Sequence, residues 1–136
     1  MDIFQIPVRV YYEDTDAGGV VYHTGYLRFM ERARTEWLRA GGFEQDQLRD
    51  EQGVLFVVRR AEVDFIKPAR FNERLGVTAR VAEIKRASFS CEQEIRREPD
   101  GEILCRGLVK VVCVDAERFL PAAFPEAIKE LLTHAG

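Results

Sequence analysis

Long apolar runs are missing from this 136-residue chain. Nothing in it approaches the roughly 18 consecutive apolar residues of a membrane helix, and the opening MDIFQIPVRV lacks a basic stretch followed by an apolar core. No export leader is therefore indicated, and a cytoplasmic protein is expected. Cysteine is scarce: Cys91, Cys105 and Cys113 are odd in number and form no CxxC pair, which excludes a disulfide framework and a zinc site and leaves three reduced core residues. Histidine is rarer still, with only His23 and His134, no HExxH and no cysteine beside either. A GxSxG elbow is absent too, so the usual serine, cysteine and zinc hydrolase patterns are excluded. Excess positive charge is also lacking. Twenty Lys and Arg stand against 23 Asp and Glu, a net charge of −3, which argues against a nucleic-acid partner or a polybasic membrane contact. Low-complexity tracts, linkers and internal repeats do not occur.

What is present is a hydrophobic fraction of 46%, enough for a core that folds without disulfide or metal staples. One domain over residues 1–136 is expected. Val8, Val10 and Tyr12 alternate with polar neighbours in a first strand, with Pro7 favouring an edge position. From about residue 26 to 40 the period becomes helical, with Tyr26, Leu27, Met30, Ala33, Trp37 and Leu38 on one stripe and Arg28, Arg32, Glu36 and Arg39 on the other. Gly41 and Gly42 supply a stop, and FEQDQLRDEQG suits a short second helix. VLFVVRRAEVDFI reads as one long strand, and KPARFNE breaks it. Leu75, Val77, Ala79 and Val81 mark the next strand, and Phe89, Cys91, Gln93 and Ile95 another. After a Pro-Asp-Gly turn, ILCRGLVKVVCV is apolar at both parities, as for a central strand covered on both faces. FPEAIKELLTH closes the chain as an amphipathic helix with Pro125 in its first turn. The order β-α-β-β-β-β-α, with short connections, predicts an α+β fold in which an antiparallel sheet curls around one long helix.

The loop EDTDAGGVVYHTGY ahead of that helix is the most informative stretch. In one reading Asp14 or Asp16 makes local turn hydrogen bonds, Gly18 and Gly19 permit the bend, and Thr24 caps the helix. In the other, the glycines let backbone approach a ligand while the helix N-terminus aims free N–H groups at a carbonyl oxygen. A carboxylate beside that point suits acyl transfer, as base or nucleophile, with the N–H groups stabilising an oxyanion and no metal required.

The stretch DTDAGGVVYHTGYLRFMERARTEWL resembles the signature of the 4-hydroxybenzoyl-CoA thioesterase family, and most its YbgC-type branch, the acyl-CoA thioesterases associated with the Tol-Pal system. The motif covers residues 11–38; strand order and length extend the likeness over nearly the whole chain. The resemblance implies the hotdog fold, acyl-CoA hydrolysis without cofactor, and a homo-oligomer in which dimers with a continuous sheet pair into tetramers. It implies that Asp16 is the catalytic carboxylate, that Gly19 and Tyr26 match the motif's glycine and closing tyrosine, and that His23 stands at the helix entry. There its backbone N–H would polarise the thioester carbonyl; a role for its imidazole stays open. Glu13 and Asp14 are expected to be solvated turn residues, His134 a surface residue near a helix end, and Glu31 the catalytic group only if the chain followed another hotdog branch.

Coenzyme A carries several phosphate charges, so a mildly acidic chain needs a local cationic patch. Arg59, Arg60, Lys67, Arg70, Lys85 and Arg86 are the candidates, Arg59, Lys67 and Arg70 foremost. In the shared site of a hotdog dimer, Phe56, Val57 and Val58 would line the acyl pocket opposite Asp16 of the partner subunit. Phe29, Met30 and Trp37 suit core more readily than pocket. Two rival functions remain: a hotdog dehydratase on carrier-linked hydroxyacyl chains, which the loop aspartate disfavours, and a scaffold that binds acyl carrier protein.

Overall fold

The computed structural model describes residues 3–135. Strand β1 (Gln5–Arg9) leads through a 3-10 turn and a loop into α1 (His23–Ala40), the short α2 (Gln45–Gln47) and a π-turn. Then come β2 (Val54–Phe65), β3 (Arg74–Thr78), β4 (Arg80–Ile84), β5 (Ser88–Glu98), β6 (Glu102–Asp115) and α3 (Glu126–Ala135). The sheet is antiparallel with order β1-β3-β5-β6-β2, and β4 also pairs with β5. β1 is an edge, as Pro7 suggested, and β6 is interior, with Leu104, Cys105, Val109 and Val111 to Val114 all buried. Alternation along a covered strand has no polar parity to display.

Helix α1 buries Tyr26, Phe29, Met30, Ala33 and Leu38 against the concave face of the sheet. Phe29 and Met30 have no exposed surface, each large apolar side chain contributing roughly 1.5–3 kcal/mol of burial. Leu27, assigned to the buried stripe by periodicity, is exposed instead, and Trp37 is only partly buried. A second link is polar. Gln93, buried on β5, donates to Met30 O and Thr78 O at 3.0 Å each and accepts from Arg34 Nη1 at 2.9 Å, tying helix to sheet.

Two boundaries differ from expectation. The strand predicted through Leu75 to Val81 is two, β3 and β4, because the chain breaks at Ala79, whose N–H bonds Phe4 O, and a bulge follows in the β4–β5 pairing between Val81 and Glu83. The sheet thereby bends around α1. The long helix begins at His23 rather than near Tyr26, and Thr24 is not its cap: Tyr22 is, in extended conformation and without a side-chain capping bond. α3 starts one residue after Pro125, whose carbonyl accepts the Lys129 N–H at 2.9 Å, and His134 Nδ1 meets Glu130 O on its exposed last turn.

All three cysteines are free and buried. Burial pushes the thiols of Cys91 and Cys113 up to about 11 and that of Cys105 up to about 12, so none offers a thiolate nucleophile near neutral pH.

Candidate active site

The acidic loop is a small hairpin. Thr15 bridges Val21, Asp16 N–H donates to Val20 O at 2.9 Å, and Gly19 N–H donates to Asp16 O at 3.0 Å. Gly19 takes φ +80°. These are the features of a type I turn closed by a left-handed glycine, for which Asp at the first position and Gly at the fourth are the favoured residues. Gly18 needs no such conformation: of the pair, only Gly19 is at positive φ. Asp16 Oδ1 accepts the Gly18 N–H at 2.8 Å. That is the local-turn role; the second carboxylate oxygen has no hydrogen bond among the described residues, and the side chain is exposed.

Asp14 is not the solvated residue expected. It is 5% exposed, its Oδ2 accepts the Tyr11 N–H at 2.9 Å, and Arg28 Nη2 lies 3.4 Å from Oδ1. Its carbonyl accepts the Tyr22 N–H at 3.0 Å. This bond brings the hairpin back to the mouth of α1 and explains why the helix begins where it does. Glu13 is exposed, as expected.

The segment after β2 clamps the other side. Val21 N–H donates to Ala69 O at 2.9 Å, Val20 bridges Arg70, and the Tyr26 hydroxyl accepts the Ala69 N–H at 3.0 Å. Burial pushes the Tyr26 phenol above its ordinary value, with the charges of Glu73 and Asp16 acting in the same direction. Its hydroxyl is thus occupied in holding the 66–70 segment. His23 lies between aromatics, 4.3 Å from the Tyr22 ring and 6.5 Å, edge-on, from Phe65, which also meets Tyr26 at 5.5 Å. The first turn of any helix leaves its leading N–H groups without intrahelical carbonyls; here those are the groups of His23 and its neighbours. Glu31 is exposed, two turns further along α1.

Of the sequence-selected residues, Asp16, Gly19, His23, Tyr26 and Arg70 come together at this one end of the molecule. Lys67 lies on the same segment but is paired with Glu102. Arg59 sits where the β2–β6 register shifts and makes no ion pair among the described residues. Val57 and Val58 are elsewhere: they line a cavity of about 130 Å³ under the far half of α1, with Phe56 and Leu38. From His23 to the middle of that stretch is roughly 16 Å along the helix, so one protomer does not unite them with Asp16. Gly25, Phe65 and Ala69 were not singled out from the sequence, and only Phe65 carried any signal there, as an apolar residue ending a strand.

Comparison with known proteins decides the family. A family model described as the thioesterase-like superfamily matches residues 10–132. The chain belongs to the thioesterase-like superfamily. An acyl-CoA thioesterase YbgC of Haemophilus influenzae is 47% identical over 131 residues, covering 96% of this chain and 95% of that protein. One from Helicobacter pylori strain J99 is 34% identical, covering 92% of this chain and 96% of that protein. The superfamily member is therefore of YbgC type. Among solved structures, a probable thioesterase from Bartonella henselae matches with a TM-score of 0.85 at 35% identity, over 91% of this chain and all (100%) of the other. A 1,4-dihydroxy-2-naphthoyl-CoA thioesterase from Synechocystis gives 0.89 at 24% identity over 97% and 96% of the two chains, which supports the hotdog fold alone.

Proposed function

We propose that the chain hydrolyses acyl-CoA thioesters to the free acid and CoA, with Asp16 as the catalytic carboxylate. The observation that carries this reading is the hairpin at the mouth of α1, which holds an exposed aspartate with one oxygen unengaged beside a helix N-terminus. A thioester carbonyl seated there meets the leading N–H groups of α1, which stabilise the negative charge that develops on its oxygen. Asp16 then removes a proton from an attacking water, or attacks the carbonyl itself to form a mixed anhydride that water opens; in both cases the CoA thiolate leaves. The relatives named for this activity support the reaction class.

The site is completed in this reading by a second copy. Among the described residues β2, a 12-residue strand, is hydrogen-bonded only to β6, and such an edge calls for a partner or a cover. Val58, Phe65 and Ile66 add exposed apolar surface along it, at 51%, 52% and 45%. Antiparallel pairing of two β2 edges would lay the Phe65 end, which touches His23, beside the Val57 and Val58 end of the neighbouring copy. Arg70, beside the hairpin and without a carboxylate partner among the described residues, is the foremost phosphate contact, with Arg59; Lys67 has to exchange Glu102 for phosphate.

The test is release of free thiol from short, medium and long acyl-CoAs and from 4-hydroxybenzoyl-CoA, with wild type and Asp16→Asn compared. Asparagine keeps the Gly18 hydrogen bond while removing basicity and nucleophilicity. Turnover is expected to fall roughly 10²- to 10⁴-fold with the melting temperature unchanged. Equal rates for the two proteins would defeat the assignment of Asp16.

A further inference from the structure

The cavity under the far half of α1 has a feature that a pocket for plain hydrocarbon does not need. Its wall is largely apolar, from Trp37, Phe56, Val57, Val58 and Phe89, yet Arg34 projects into it from the helix. Arg34 is partly buried and gives one N–H of Nη1 to Gln93. Among the described residues no carboxylate comes within 4.0 Å of its guanidinium. The nearest acid on the helix, Glu31, is exposed at the rim, and the other lining arginine, Arg80, is already paired with Glu92. A guanidinium drawn out of water without an anion in contact is costly, and here burial lowers its tendency to hold its proton, with the charge of Glu31 acting the other way. Its planar fork of five donors matches a carboxylate bidentately, and among the described residues only one of those donors is committed.

We infer that this cavity receives the acyl tail and that Arg34 is a specificity-determining residue for a carboxylate at the tail's far end. The inference rests on the hydrolase reading above and on the pairing of β2 edges that would face this cavity toward the Asp16 of a neighbouring copy. Size narrows the class. An apolar cavity of about 150 Å³ holds one benzene ring, so 130 Å³ suits a body of about six heavy atoms. Beyond the thioester carbonyl, that is a succinyl or glutaryl tail. The substrates selected are half-thioesters of short dicarboxylic acids, with Gln93 holding Arg34 in place from behind and Val57 and Val58 on the side open to the β2 edge.

The experiment compares kcat/KM for succinyl-CoA against butyryl-CoA, and glutaryl-CoA against valeryl-CoA, in wild type, Arg34→Met and Arg34→Lys. A charge-assisted, buried hydrogen bond predicts a wild-type preference for the carboxylated member of each pair of roughly 10- to 100-fold. Methionine should abolish that preference, and lysine should keep part of it. Equal loss on both members of a pair, or an unchanged ratio, would overturn the inference and make Arg34 a partner of Gln93 only. Should Arg34→Met fail to fold, calorimetric titration of wild type and Arg34→Lys with valerate and with its neutral amide decides instead: tighter binding of the carboxylate, weakened in Arg34→Lys, supports the pocket, and equal binding of carboxylate and amide overturns it. Failure of every acyl-CoA to turn over would count against the hydrolase reading, and the same titration would still decide the pocket.

Discussion

Two aspartates two positions apart divide the work of the loop. Asp14 is buried, accepts from Tyr11 N–H and faces Arg28; Asp16 is exposed and spends one oxygen on Gly18. Removing the first takes a charge-assisted acceptor from the partly buried Tyr11 N–H and leaves an arginine without its partner, so Asp14→Ala should destabilise the protein by about 1–3 kcal/mol. Chemical denaturation should show that loss for Asp14→Ala and not for Asp16→Asn, a contrast opposite in order to their expected effects on the chemical step. A stability unaffected by Asp14→Ala would mean that the hairpin does not depend on it. The motif drew attention to Asp16, but nothing in residue type or spacing separates a buried aspartate from a solvated one. Asp14 and Glu13 look alike in the sequence; the difference arises because only Asp14 turns under the returning chain at Tyr22.

At the scale of elements, the mouth of α1 depends on a close approach that periodicity does not reveal. Gly25 lies in the first turn of the helix, where a Cβ would stand 2.8 Å from Val21 Cγ1, 3.5 Å from Arg28 Nη2 and 3.7 Å from Asp14 O. Helix propensity alone favours Gly25→Ala by about 1 kcal/mol; the contact with Val21 pushes the other way and falls on the hairpin. The variant is expected to lose at least about tenfold in kcat/KM, near 1.4 kcal/mol in the transition state, while its melting temperature moves by only a few degrees. Full activity in Gly25→Ala would show that the hairpin can shift without consequence. Helix, long strand and closing helix were all legible from their periods, because each has one face on the core. The break between β3 and β4 was not, since Leu75, Val77, Ala79 and Val81 keep the alternation of one strand across a bend made by hydrogen bonds to Phe4 and a bulge.

For the whole molecule, the decisive feature is an edge. The outer half of β2 is largely uncovered: Ala61, Glu62, Asp64 and Phe65 are exposed and Val63, partly buried, packs against the core, although the residue types alternate. A strand so patterned and so exposed suits a second β2. Val58→Arg places charge on that edge beside the 130 Å³ cavity, where pairing would take it out of water against the apolar Phe65 end of the neighbouring copy, and a charge so desolvated is destabilising. Light scattering should report a dimer or a dimer of dimers for wild type and a shift toward the monomer for Val58→Arg, with turnover falling in parallel. A monomeric wild type that hydrolyses acyl-CoA at full rate would overturn the shared site.

By itself the sequence determined the class of the fold, the order of its elements apart from the split into β3 and β4, and the loop that carries the motif. Burial periodicity is a local property, and Asp-x-x-Gly ahead of a helix writes its own turn. Only tertiary structure decided which aspartate is buried, that the Tyr26 hydroxyl is occupied by Ala69, and that Val57 and Val58 lie far from Asp16 within one chain. It also decided that Arg34 faces an apolar cavity without a carboxylate partner among the described residues. Each of these depends on what residues distant in the chain bring to the same place, and spacing along the sequence carries no record of that.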